Sequence, residues 1–154
     1  MATFKVESLF DNRKSEITEE VIAGGSNGAI IVINIGGKID VFISCAWRLF
    51  RNDTQITGWH EESVEKTSPL VSGIKKLEGL KFVSCSFHSE FDFDLCFEGG
   101  FTLSVFADNT AKSRIDENWA VCDISSNKCY TLSNEYALSE DVYDDPQQLL
   151  GDPK

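Results

Sequence analysis

Glu90–Phe106 reads EFDFDLCFEGGFTLSVF. Phe91, Phe93, Leu95 and Phe97 alternate with Glu90, Asp92, Asp94, Cys96 and Glu98, the period of a strand with one face in a core and the other in water. After Gly99-Gly100 the alternation resumes as Phe101, Leu103 and Val105. A two-residue Gly-Gly turn would set Phe97 against Thr102 and throw the apolar rows onto opposite faces. A three-residue loop, Glu98-Gly99-Gly100, sets 97 against 101, 95 against 103 and 93 against 105, so both rows face one core. Its third position calls for a left-handed backbone, which Gly100 adopts without a Cβ penalty.

The same reasoning extends outward. Ile31, Ile33 and Ile35 precede Gly36-Gly37-Lys38, and Ile39, Val41, Ile43, Cys45, Trp47 and Leu49 follow with a period of two. Matching the rows pairs 35 with 39, 33 with 41 and 31 with 43, with Lys38 at a loop position that suits glycine better. The other face of this long strand carries Asp40, Phe42, Ser44, Ala46, Arg48 and Phe50, and the two phenylalanines imply partial cover on both sides. Gln55–His60 reads as a return strand. Pro69 opens a short helix through Leu70, Val71, Ile74 and Leu77 to Gly79, with Lys75 and Lys76 on its wet side. Leu80–His88 is a strand. Trp119–Ile124 and Cys129–Leu132 form a last hairpin, with 121 against 132 and 123 against 130. At the front, Thr3–Val6 reads as a short strand and Ser15–Ala23 as an extended segment. The fold class is mainly β (α+β): an antiparallel β-sandwich or open barrel of about eight or nine strands with one short helix. It forms a single domain over 1–138, followed by an acidic, loosely ordered tail over 139–154.

The chain has 154 residues, 42% of them hydrophobic and 25% charged, ordinary values for one globular domain. No apolar run is long enough to span a membrane, and the first twelve residues lack the pattern of a secretory signal. Net charge is −11, from 25 acids against 14 bases. That balance excludes nucleic acid and anionic membrane as partners, because both demand cationic neutralisation, and it suits a basic protein. Many soluble proteins are acidic for solubility alone. Cys45, Cys85, Cys96, Cys122 and Cys129 are odd in number and show no CxxC spacing, which predicts reduced thiols in a cytoplasmic protein rather than disulfides or zinc ligands.

Glu90, Asp92, Asp94 and Glu98 form one acidic row. It reads as the wet face of a strand, as a contact strip for a cationic partner, or as a divalent-metal site; no glycine-rich ligand loop accompanies it, so no metal is assigned. His60 and His88 each stand beside carboxylates, yet no GxSxG, HExxH, phosphate-loop or cysteine-nucleophile motif surrounds them, so no catalytic residue or cofactor is assigned. Trp47 and Trp119 lie in inward rows and read as core. Trp59, beside Glu61, Glu62 and Glu65, reads as an exposed aromatic anchor. Arg48 is expected to pair with Asp40 or Glu61. The candidate partner-binding residues are therefore Trp59, Glu61, Glu62, Glu65, Glu90, Asp92 and Asp94. Eleven phenylalanines support an alternative, a small-molecule-binding module with a cavity between sheets. Nothing in the sequence sets the oligomeric state.

The run Ile43-Ser44-Cys45-Ala46-Trp47-Arg48-Leu49, the helix and strand after it, the FDFDLCFEGGFTLSVF hairpin and Glu117-Asn118-Trp119 together resemble small bacterial β-rich proteins, some of them immunity proteins of polymorphic toxin systems. The resemblance spans about residues 28–132. It implies a non-enzymatic protein that neutralises a cognate toxin domain by binding it.

Overall fold

The computed structural model describes residues 3–24, 30–58, 69–107 and 117–142. The strands are β1 (Thr18–Gly24), β2 (Ile30–Ile35), β3 (Ile39–Ile43), β4 (Ala46–Arg51), β5 (Thr54–Gly58) and β6 (Phe82–Phe87). They continue with β7 (Phe93–Phe97), β8 (Phe101–Phe106), β9 (Glu117–Asp123), β10 (Lys128–Ser133) and β11 (Leu138–Val142). Two antiparallel sheets result: β1-β2-β3-β9-β10-β11 and β5-β4-β8-β7-β6. They face each other as an open sandwich, with helices α1 (Thr3–Ser8) and α2 (Pro69–Ile74) at the margins and a 3-10 turn, Lys75–Leu77, after α2. No helix among the described residues is long and apolar enough to cross a membrane.

Both hairpins read from alternation form with the expected pairs. Phe93 lies against Val105, Leu95 against Leu103 and Phe97 against Phe101; Ile31 lies against Ile43, Ile33 against Val41 and Ile35 against Ile39. All twelve side chains are buried. Aromatic rings knit the interior: Phe82 contacts Phe10 and Phe97 at centroid distances of 5.4 and 5.9 Å, and Trp119 meets Phe93 edge-on at 5.4 Å.

Several expectations are corrected. Thr3–Val6 is helical, not extended; burial falls on Thr3, Val6 and Phe10, a helical spacing that places one face on the core. The first hairpin's left-handed residues are Gly36 and Gly37 (φ +64° and +68°), so Lys38 carries no strain. The long strand of residues 39–49 is two strands in different sheets. The chain crosses at Ser44-Cys45, whose two amides both donate to the Asn118 carbonyl (2.9 and 3.1 Å). The apolar alternation runs through the crossing because both sheets turn their inner faces to the same core.

The register of the last hairpin is shifted by two residues from the expected one, with Val121 against Tyr130 and Asp123 against Lys128. Asp123 accepts hydrogen bonds from the Ser125 amide and hydroxyl inside the turn (3.0 and 2.7 Å), and Asn127 takes a left-handed backbone (φ +60°). A two-residue shift preserves facing, so Trp119, Val121, Tyr130 and Leu132 still point inward. The same register sets Cys122 opposite Cys129, and the two form a disulfide, so five reduced thiols is overturned. Residues 139–142, assigned to the tail, belong to β11, which pairs with β10 from Leu138 to Val142; residues 143–154 lie outside the described set. Phe42 is covered on the reverse face by a second small cluster with Val32, Ala120, Cys122 and Cys129.

Candidate partner-binding surface

Trp59, Glu61, Glu62 and Glu65 lie outside the described residues, as does His60. The remaining candidates, Glu90, Asp92 and Asp94, do not form one row. β7 begins only at Phe93, because β6 ends at Phe87 with its ring against Phe93 (5.0 Å) and residues 88–92 turn between the strands. The His88 amide donates to the Asp92 carbonyl (3.1 Å), closing that turn. Glu90 is exposed at its tip. The Asp92 carboxylate accepts from the Ala107 amide (2.7 Å), and Glu98 reaches the Lys81 amide (2.9 Å). Only Asp94 keeps its place on the outer face of the second sheet, 3.3 Å from His88 Nε2. Among the described residues Asp94 Oδ1 is shielded from water and makes no hydrogen bond.

Carboxylates recur in this architectural role. Glu7 accepts from the Phe87 amide and Glu78 from the Val21 amide, each at 2.9 Å. Both bonds satisfy edge-strand donors that lack a neighbouring strand. Part of the negative charge therefore fastens backbone and is not offered to a partner.

The outer face of the second sheet sets Asp94, Ser104 and Arg48 side by side across β7, β8 and β4. Arg48 pairs with neither Asp40 nor any other carboxylate among the described residues; its guanidinium lies over the Phe106 ring at 5.5 Å. Asp40 sits in the other sheet and accepts from Asn34 Nδ2 (2.7 Å). Burial, then the nearby Glu7, Cys96 and Asp94 side chains, pushes the Cys85 thiol well above its ordinary range, which disfavours the reactive thiolate. Among the described residues no cluster of three or more His, Cys, Asp or Glu is placed to hold a metal ion.

The charges that do face solvent without an opposite partner, among the described residues, include Glu19, Glu20, Asp53, Glu90, Glu135 and Asp141. Glu140 and Asp141 were assigned to the tail by the sequence reading. The signal that would have placed them in a strand is the alternation Leu138-x-Glu140-x-Val142, too short to stand out beside so many acids.

Two carboxylates make stability pH-dependent. The Val21 amide, opposed by partial burial and helped by Lys75, holds Glu78 below its ordinary value of 4.5. Burial pushes Asp123 up, but hydrogen bonds from Ser125 and Ser126 outweigh it and leave the group below 3.8. A depressed carboxylate contributes stability above its unfolded pKa and loses it as pH falls through the folded one. Denaturation midpoints should therefore drop on acidification from about pH 4.5 downward, and the combined Glu78→Gln and Asp123→Asn substitutions should flatten that limb. An equally steep acid limb in the double variant would remove both groups as its source.

Comparison with known protein families, curated proteins and solved structures found no match.

Proposed function

We propose that this chain is a non-enzymatic binding protein of the immunity type, which neutralises a basic toxin domain in the cytoplasm by occluding it. The supporting observation is the net charge of −11, much of it on exposed acids with no basic neighbour. Such a field speeds the approach of a cationic protein and repels nucleic acid. The Cys122–Cys129 bond pulls against a cytoplasmic location, since cytosolic thiols are kept reduced. Affinity capture from the cytoplasmic fraction at low salt tests the reading. The expected result is a stoichiometric basic protein that dissociates as salt rises.

With that partner in hand, Glu90→Lys combined with Asp94→Lys should slow association roughly tenfold at low ionic strength and much less at high. Asp92 is excluded from the test because its carboxylate holds the Ala107 amide. Unchanged association rates would take the β7 acids out of the contact surface.

One observation favours a second reading, a small-molecule-binding β module. Among the described residues, Trp47 Nε1 and Thr57 Oγ1 are buried without hydrogen-bond partners. Thr57 pairs with Leu49, two residues from Trp47 on the same inner face. Buried donors normally find an acceptor, and a ligand oxygen would serve as well as a water. A thermal-shift screen against carbonyl- and hydroxyl-bearing compounds addresses it; no stabilising compound would leave water as the acceptor.

A further inference from the structure

The edges of the two sheets are treated unequally. β6 is covered along one half by residues 15–17, through Ser15 N to Phe82 O (2.7 Å), Phe82 N to Glu16 O (2.8 Å) and the Ile17–Lys81 bridge. Its far end is closed by the Glu7 carboxylate on the Phe87 amide. β1 is covered by exchange between Thr18 and residues 79–80, and by Glu78 on the Val21 amide. β5 is broken by a bulge against β4, and α2 packs on it tightly enough that a Cβ at Gly73 would press into Thr57. A bulge twists an edge away from further pairing.

β11 has none of these devices. It pairs with β10 through five successive residues with no register shift, and among the described residues its outer edge meets no backbone partner. A regular, unbroken edge strand is a template for one more strand. Its charge selects the occupant. Residues 131–145 contain Glu135, Glu140, Asp141, Asp144 and Asp145 and no lysine or arginine. A second copy pairing about a two-fold axis would bring these acids against themselves, and like charges across a ladder destabilise it. The chain's own continuation, Tyr143-Asp144-Asp145-Pro146, carries the same sign and a residue that cannot donate to a ladder.

We propose that the open edge of β11 receives an extended, lysine- or arginine-rich segment of a partner protein as an added strand. Main-chain hydrogen bonds supply the affinity, and Asp141, Glu135 and Glu140 select for basic side chains. Glu140 also lies 3.9 Å from Lys128 Nζ and is hydrogen-bonded to the Tyr130 hydroxyl, so an incoming base competes with both for it. The inference rests on the basic-partner reading and adds the mode of contact.

The test uses the full chain, a capped peptide of alternating lysine and threonine, and the same peptide with every backbone amide N-methylated. Both peptides carry identical charge; only the first can add to a sheet. At low ionic strength the unmethylated peptide should shift the amide resonances of residues 138–142 and slow their hydrogen exchange by about tenfold or more, and the methylated one should do neither. Equal, diffuse perturbation by both peptides would overturn edge addition while leaving a basic partner in place. Binding by neither, with a basic protein still captured from cells, would do the same. Without any peptide, concentration-dependent protection of the β11 amides that do not bond β10 would assign the edge to a second copy, and their concentration-independent protection to the chain's own tail; either overturns the proposal.

Discussion

Trp119→Ala should cost about 3–5 kcal/mol of folding stability, the range for emptying a large aromatic site. Trp119 is 1% exposed and stands on β9 of the six-stranded sheet, while its ring contacts belong to the other sheet: Phe93 edge-on at 5.4 Å and Phe87 at 5.9 Å. Its indole N–H donates to the Phe91 carbonyl at 3.0 Å, tying the β6–β7 turn to the same point. Domain stabilities of about 5–15 kcal/mol leave room for Trp119→Ala to unfold the chain outright, so Trp119→Phe is the sharper variant. It keeps most of the ring and strands the carbonyl, for an expected loss of about 1–3 kcal/mol. Urea midpoints at constant m-value read both. A Trp119→Ala loss below about 1.5 kcal/mol would mean that the sheets are held together elsewhere, since cavity costs for aromatics run well above it.

Gly100→Ala should be the most damaging single-methyl change in the central hairpin, at about 2 kcal/mol or slightly more. Gly100 sits at φ +83°, where an L-residue pays roughly 1–2 kcal/mol. A Cβ there would also overlap the Asn52 side chain, whose backbone amide already donates to the Gly100 carbonyl (2.8 Å). Gly99→Ala has a similar backbone angle, but its Cβ would make only ordinary contact with the Phe101 ring at 3.6 Å. It should cost less. Asn52→Gly separates the two components: Asn52 is itself left-handed (φ +55°), so glycine is tolerated there and removes the obstruction. In that background Gly100→Ala should retain only its backbone cost, and a double-mutant cycle would show the coupling. Strict additivity would assign the whole loss to backbone angle and none to Asn52.

Much of the architecture was legible in the order of residues. Alternation of period two does not depend on distant chain, and in the 93–105 and 31–43 hairpins only one loop length puts both apolar rows on one face. Hence those pairings, the inward facing of Trp47 and Trp119, and a short helix opening at Pro69 could be read directly.

Tertiary structure decided everything that depends on which chain lies opposite. A sandwich presents two inner faces to one core, so alternation through Ile43, Cys45 and Trp47 could not reveal that the chain changes sheets at Ser44-Cys45; the Asn118 carbonyl does that. The disulfide follows from a two-residue register choice at the last turn, set by Asp123 and Asn127, and the inward face is identical in either register. Acidic residues look alike in a sequence whether they cap an amide, as Glu7, Glu78, Asp92 and Glu98 do, or face water, as Glu90 does. Period and composition belong to the chain itself, whereas a carboxylate's role is set by the donor that folding brings to it.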